Sequence, residues 1–240
     1  MTGLSQAVSD ILTAQKRSKK PLAVVLAGHN GSGKSTMWYE RLAGDFQIPL
    51  VNADRMMMSI LPDQPLPAWA SALRDQNQSW MEVAQSGVQA FVAEAMLRAV
   101  PFAMETVFSD WRPQADGSIA SKIDLIEDMQ RAKYFVLLMF VGLSNAQLSM
   151  GRVATRVAKG GHDVAPAKLT QRFPRTQRAI NAAIDVADAA ILVDNSRLPA
   201  DAFTVSHVRL TRRPLFDLRD GATAAPAEIL EWLDVVVPRP

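Results

Sequence analysis

The sequence has 240 residues, a net charge of +2, 48% hydrophobic and 21% charged residues, and no cysteine. That length holds one substantial α/β domain with an insertion, or two small ones, and the composition is that of an ordinary soluble globular chain. Disulfides, thiolate metal sites and a cysteine nucleophile are excluded, the charge is too small to argue for nucleic acid globally, and the longest apolar run, residues 134–143, falls well short of the ~20 residues of a membrane span.

The first six residues show neither an arginine-rich transit pattern nor a charged start with a long apolar core, so no export signal and a cytoplasmic location are expected. Lys16, Arg17, Lys19 and Lys20 read as a solvated run, making residues 1–20 a short helix and basic linker. Residues 22–27, Leu-Ala-Val-Val-Leu-Ala, form a buried-strand pattern that runs into Gly28, His29, Asn30, Gly31, Ser32, Gly33, Lys34 and Ser35. This is a complete G-x-x-x-x-G-K-[ST] loop, the cradle of a nucleoside triphosphate. Glycines let backbone N–H groups converge on phosphate, Lys34 reaches the β and γ oxygens, and Ser35 can ligate magnesium. A helical pattern through Ser35 and Thr36 to residue 43 aims its N-terminus at the same anion. The backbone of His29 is expected to matter more than its imidazole.

A second strand is expected over residues 50–53, leading into Asp54 and Arg55. Asp54 is a candidate general base for an acceptor hydroxyl, the N-cap of the following helix, or both, with Arg55 beside it as a substrate contact. Residues 61–100 form an insertion: a proline-rich start, then a helical stretch from about 69 to 99 with Trp80, Ala84, Val88, Phe91 and Ala95 at 3.6 spacing. That stripe is core packing or the wall of an acceptor pocket. The third strand, residues 102–107, places Glu105 in an apolar context. Glu105 is expected to ligate magnesium through water, to grip substrate hydroxyls, or to sit in a buried salt bridge. Thr106 and Ser109 join it as candidate substrate contacts.

After a fourth strand at 135–141, residues 150–180 hold Arg152, Arg156, Lys159, Lys168, Arg172, Arg175 and Arg178 against a single acid, Asp163, a local charge of +6. Arg152 and Arg156 share a helix face, and Gly160 and Gly161 break that helix as a hinge would. An arginine-rich lid over residues 145–180 is the reading adopted; a nucleic-acid surface would carry interleaved aromatics, and Phe173 is the only one. The fifth strand, 189–193, is followed by Asp194, as in a Walker-B element, but Asn195 and Ser196 come next rather than a glutamate. This loop lies near the nucleotide base, with Asn195 as a contact, or is a plain turn. His29, His162 and His207 have no metal-ligand spacing. Strands at 203–210 and 214–218 and a helix at 226–236 place residues 197–240 on the same domain.

Taken together, residues 26–36, Asn52 to Asp54, Glu105 and Thr106, Arg152 through the Gly-Gly-His-Asp-Val block to Arg175, and Asp194 to Ser196 resemble the zeta toxin-like family of small P-loop kinases. The Gly-Gly-His-Asp-Val block is that of the branch labelled predicted ABC-type ATPases. The resemblance spans most of residues 21–196 and implies an α/β P-loop NTPase fold: a mostly parallel sheet with helices on both faces, a helical insertion after the second strand and an arginine-rich lid. It further implies a kinase that uses ATP and Mg2+ to phosphorylate a free hydroxyl of a small molecule, in zeta toxins UDP-N-acetylglucosamine, and a small antitoxin partner. Carried over by motif position, Lys34 and Ser35 hold triphosphate and metal, Asp54 is the base, and Glu105 and Thr106 contact acceptor or metal. Arg156 and Arg172 neutralise γ-phosphate charge, with Arg152 and Arg175 as alternates. The rival readings are an NTPase switch in which Asp194 completes the site, and a nucleic-acid end kinase using the basic segment.

Overall fold

Chain order follows from where apolar runs alternate with amphipathic ones. The computed structural model describes residues 3–239 other than Gln64 and His162. Helix α1 (Leu4–Ser18) leads into β1 (Leu22–Gly28), every residue of which is buried. The phosphate loop then opens α2 (Lys34–Met37), which passes through a π-helical turn (Trp38–Leu42) into α3 (Ala43–Phe46). The helix expected here is therefore interrupted by a widened turn, in which Trp38 and Leu42 both reach the core.

Strand β2 (Leu50–Val51) is shorter than expected because Asn52 leaves the ladder to cap α4 (Ala53–Met58). The single helical stretch expected in the insertion is two helices, α5 (Ala68–Gln76) and α6 (Gln78–Leu97), separated at Asn77, whose side chain caps α6 by accepting from Trp80 N at 3.0 Å. Within the apolar stripe, Ala84 is buried, and Val88 and Ala95 enter a core against which Phe91 packs, as a packing helix requires. After β3 (Phe102–Thr106) comes a two-stranded hairpin, β4 (Trp111–Pro113) with β5 (Ile119–Ser121), then α7 (Ile123–Arg131) and the fully buried β6 (Phe135–Gly142). Helices α8 (Ala146–Ala158) and α9 (Pro166–Val186) fill the segment before β7 (Ala189–Asp194), and β8 (Thr204–Leu210), β9 (Arg213–Asp217) and α10 (Ala227–Val236) complete the chain.

The main sheet runs β2-β3-β1-β6-β7-β8-β9, the first five strands parallel and β8 pairing antiparallel with both β7 and β9. Alternate residues of the central strands enter two cores. Ala23, Val25, Val136, Leu138 and Phe140 pack with α6, α7, α9 and α10 on one face; Leu22, Val24, Leu26, Leu137 and Met139 pack with α1, α2 and the π turn on the other. Burial on both faces explains why β1 and β6 read as continuous apolar runs. Among the described residues no helix is long and apolar enough to cross a membrane. Parallel pairing brings the carboxyl ends of β1, β2, β3, β6 and β7 to one edge, where ligands of open α/β sheets collect.

Candidate active site

The loop between β1 and α2 is shaped by close approach. A Cβ on Gly28 would lie 2.7 Å from the Val141 carbonyl oxygen, and one on Gly33, whose φ is +89°, would lie 2.7 Å from Asn195 Nδ2. Only glycine meets both demands. Two side chains from distant elements brace the loop: Asn195 Nδ2 donates to the Ser32 carbonyl at 2.8 Å, and Ser149 Oγ on α8 donates to the Asn30 carbonyl at 2.7 Å. Asn195 thus spends its amide group on the loop itself. Ser32 is fully buried, and among the described residues its Oγ has no hydrogen-bond partner.

Lys34 Nζ donates to the carbonyls of Gly28 (3.0 Å) and His29 (2.9 Å) and stands 3.9 Å from Glu105 Oε1. Burial pushes this ammonium below the ordinary lysine range; Glu105 and Asp54 pull it back up, and nearby Arg156 adds to the lowering. Ser35 Oγ donates to both Glu105 oxygens, at 2.8 and 3.1 Å. Glu105 therefore faces the loop, where it is the ion-pair partner of Lys34 and the neighbour of the Ser35 hydroxyl. The register explains this, Leu26 of β1 lying opposite Glu105 of β3. Thr36 is exposed on the first turn of α2.

Asp54 is exposed in the first turn of α4. The cap of that helix is Asn52, whose Oδ1 accepts from Arg55 N at 3.2 Å, so the capping role weighed for Asp54 falls to its neighbour. The Asp54 charge acts on both Lys34 and Arg172. Arg55 lies 4.4 Å over the Tyr39 ring, a cation–π pair at the rim. Thr106 Oγ1 accepts from Phe108 N at 3.2 Å and from Lys122 Nζ at 2.5 Å, which commits this hydroxyl to the turn after β3. Ser109 follows half-buried in the same turn.

The basic segment divides. Arg152 and Arg156 on α8 stand on the nucleotide-loop side: a Cβ on Gly31 would touch Arg152 Cβ at 3.1 Å, and Arg156 acts on Lys34. With Thr155, Lys159, Gly160 and Gly161 they line an open cleft of about 400 Å³. Arg172 and Arg175 on α9 stand together, and Arg172 lies within electrostatic range of Asp54. Burial lowers Arg172 below the usual guanidinium range, Arg175 adds to this, and Asp54 opposes it. Helix α8 stops as expected: Gly160 adopts φ +83°, and Gly161 is pressed against the Arg156 side chain. His162 of the Gly-Gly-His-Asp-Val block lies outside the described residues.

Asp194 is fully buried, and both its oxygens are engaged, Oδ1 by Ser196 Oγ (2.6 Å) and Trp232 Nε1 (3.0 Å), Oδ2 by Ser196 N (3.1 Å). That is the environment of a structural carboxylate rather than of a Walker-B metal ligand.

No model of a known protein family matches the sequence, and no match is found among curated proteins. Solved structures do match. One comes from the PezAT chromosomal toxin–antitoxin system of Streptococcus pneumoniae, with 13% identity and a TM-score of 0.54 over 96% of this chain and 86% of that one. Another is the AvrRxo1-ORF1:-ORF2 complex, with 14% identity and a TM-score of 0.59 over 98% of this chain and 71% of that one. The chain shares the α/β fold of these structures, a mostly parallel sheet flanked by helices. The resemblance expected from the sequence is thereby borne out at the level of architecture.

Within this fold the imidazole of His29 and the side chains of Ser149 and Lys122 play parts that escaped the sequence reading. The His29 imidazole is buried and stacks on Phe173 of α9, centroids 3.9 Å apart and planes 11° apart, with Phe140 edge-on at 5.6 Å. Its ring therefore ties the phosphate loop to the arginine-bearing helix, beyond the backbone role expected of it. Ser149 and Lys122 were missed because neither belongs to a local pattern. Asn145 could have signalled the first: it caps α8 by accepting from Leu148 N at 2.9 Å and so fixes which α8 residues face the loop.

Proposed function

We propose that the protein is an ATP-dependent kinase that phosphorylates a hydroxyl of a small molecule. The observation that carries this reading is the place of Asp54: at the exit of β2, exposed, released from capping by Asn52, and in range of both Lys34 and Arg172. A carboxylate so placed is available to take a proton.

The loop fits a triphosphate. Its glycines leave no room for side chains, the orphaned Ser32 Oγ offers a buried donor, and α2 starts where the anion would lie. Ser35 and Glu105 would supply a hydroxyl and a carboxylate to hold magnesium. Magnesium bound there would neutralise charge developing on the phosphates. Lys34 holds the β and γ oxygens in line with the acceptor. As the acceptor oxygen bonds to the γ-phosphorus, Asp54 receives the hydroxyl proton; the bond to the β–γ bridging oxygen breaks, and ADP keeps its electron pair. Arg156 balances charge from the nucleotide side and Arg172 from the side of Asp54. Arg55 at the rim and Ser109 after β3 are proposed as outer contacts of the acceptor.

The resemblance to zeta toxins puts UDP-N-acetylglucosamine first among acceptors to try. PezAT is a toxin–antitoxin system and AvrRxo1-ORF1 was solved with ORF2, so a small antitoxin-like protein is the partner to seek. In the test, protein, magnesium ATP and a metabolite extract are incubated, and mass spectrometry seeks the gain of one phosphoryl group. Lys34→Ala should abolish the product, and Asp54→Ala should slow it about 10²- to 10⁴-fold with ATP affinity nearly unchanged. Full product formation by the Asp54 variant would remove the base from the scheme.

A further inference from the structure

The edge of the sheet opposite the candidate site, where the parallel strands begin, gathers positive charge from three separate stretches of chain. Lys16 and Arg17 end α1, and Lys19 and Lys20 lead from it into β1. The fold joins this run to Lys133, which leads into β6, and to Arg212 and Arg213, which turn β8 into β9. All are exposed except the half-buried Lys20. Register makes them neighbours. Phe135 N donates to the Pro21 carbonyl at 2.8 Å, which sets Lys133 beside Lys20; Leu137 of β6 aligns with Ala189 of β7, and Ala189 with Leu210 of β8. Three strand spacings of ~4.8 Å therefore carry the cations from β1 to β8, a line of about 15 Å.

Among the described residues none of these cations stands in an ion pair or donates a side-chain hydrogen bond. Nearby acids are committed elsewhere: Asp188 accepts from Val136 N and Gln130, Glu127 and Asp128 hold Arg131, and Asp185 faces Arg209. Lys19 and Lys133 hold φ of +58° and +68°, a conformation that glycine adopts freely and an L-residue only at a cost. A cation thus stands twice where backbone geometry alone favours glycine. Aliphatic side chains complete the face. Leu97, the last residue of α6, is 80% exposed and Val100 40%, in the turn that enters β3, the other neighbour of β1. The exposed aromatics among the described residues, Tyr39 against Arg55 and Trp69 on α5, lie elsewhere, so this edge lacks the stacking platforms of a single-strand binder. Cations flanked by exposed aliphatic side chains match a leaflet that presents anionic headgroups over acyl chains.

We propose that this edge docks the protein on the surface of a membrane rich in anionic lipid. The proposal goes beyond the kinase reading and does not depend on it. Strand β1, seven residues at ~3.3 Å each, holds the phosphate loop about 20 Å from the docked edge, so the candidate site faces the solution.

Sedimentation with vesicles tests it. The protein should pellet with vesicles of phosphatidylcholine mixed with an equal part of phosphatidylglycerol and not with phosphatidylcholine alone. Salt near ~1 M, where the Debye length shrinks to about 3 Å, should release it. Each cation close to such a surface is worth about fivefold in binding, so the triple variant Lys19→Glu, Lys133→Glu, Arg213→Glu should bind about a hundredfold or more weakly with its circular dichroism unchanged. Leu97→Ser should bind about tenfold more weakly. Equal pelleting with both kinds of vesicle, or wild-type binding by the folded triple variant or by Leu97→Ser, overturns the proposal. The salt series on the unaltered protein decides the matter even where the triple variant does not fold: binding that survives high salt overturns it too. An oligonucleotide at matched phosphate concentration should leave the protein on the vesicles; displacement would make the edge a polynucleotide surface and overturn the membrane assignment.

Discussion

At the scale of single residues, His29 shows how a loop position without a motif identity can carry weight. Its ring is sealed between Phe173 and Phe140, and burial, reinforced by the Lys34 charge, lowers its pKa to about 3. It is therefore neutral in the folded protein at any physiological pH and serves as an aromatic spacer. Because its folded pKa lies below the unfolded value, the unfolded chain binds a proton first as pH falls through about 6.5, so stability is lost on acidification. One pH unit of such difference is worth about 1.4 kcal/mol. His29→Phe keeps the stack and removes the titration, so between pH 7 and pH 5 it should lose about 2 kcal/mol less stability than wild type; urea unfolding at the two pH values checks this. Equal acid sensitivity in both proteins would place His29 in a less buried setting. His29→Ala, which empties the stack, should cost about 3 kcal/mol or more and slow the proposed phosphoryl transfer by loosening Phe173, which Arg172 and Arg175 flank.

At the scale of elements, legibility tracked how local each cause was. β1, β6 and β7 were readable because two buried faces leave an unbroken apolar run, and the phosphate loop because its chemistry sits in eight consecutive residues. The hairpin of β4 and β5 was not, since strands three residues long give no period to detect. The break between α5 and α6 rests on one cap at Asn77 inside a continuous apolar stripe. The same distinction holds in the site: Lys34, Ser35 and Asp54 follow from sequence neighbours, while Lys122, Ser149 and Arg74 act through partners 16 to 119 residues away. Arg74 of α5 is buried, forks onto Asp75 at 2.6 and 2.7 Å, and donates to the Gly160 carbonyl at 2.6 Å. The insertion thereby fastens the turn at which α8 ends. Arg74→Ala removes that donor from the carbonyl of exposed Gly160, and the loss of one such hydrogen bond costs about 0.5–1.5 kcal/mol. Amide exchange at residues 157–161 should accelerate about tenfold while the β1 amides stay protected. Unchanged exchange there would mean that the turn is held by its own backbone bonds.

At the scale of the whole molecule, the last two strands and α10 do more than cover an edge. The Trp232 ring lies where any Gly142 side chain would be, a Cβ there meeting ring atoms at 2.5 Å, and its Nε1 donates to Asp194. Asp194 holds Ser196, whose Oγ accepts from Ser144 N at 2.8 Å, and the residue between them, Asn195, braces Ser32 of the phosphate loop. A chain of contacts thus runs from a C-terminal helix to the centre of the site. Trp232→Phe preserves most of the packing but leaves the fully buried Asp194 carboxylate without its ring donor, which should cost about 1–3 kcal/mol of stability. If the brace is transmitted, affinity for an ATP analogue should fall with it, because Asn195 shifts relative to Ser32. Urea unfolding and calorimetric titration of the same variant separate the two effects. Lower stability with undiminished nucleotide affinity would show that α10 supports the sheet without setting the loop; a loss of both would make the C-terminal helix part of what shapes the proposed nucleotide site.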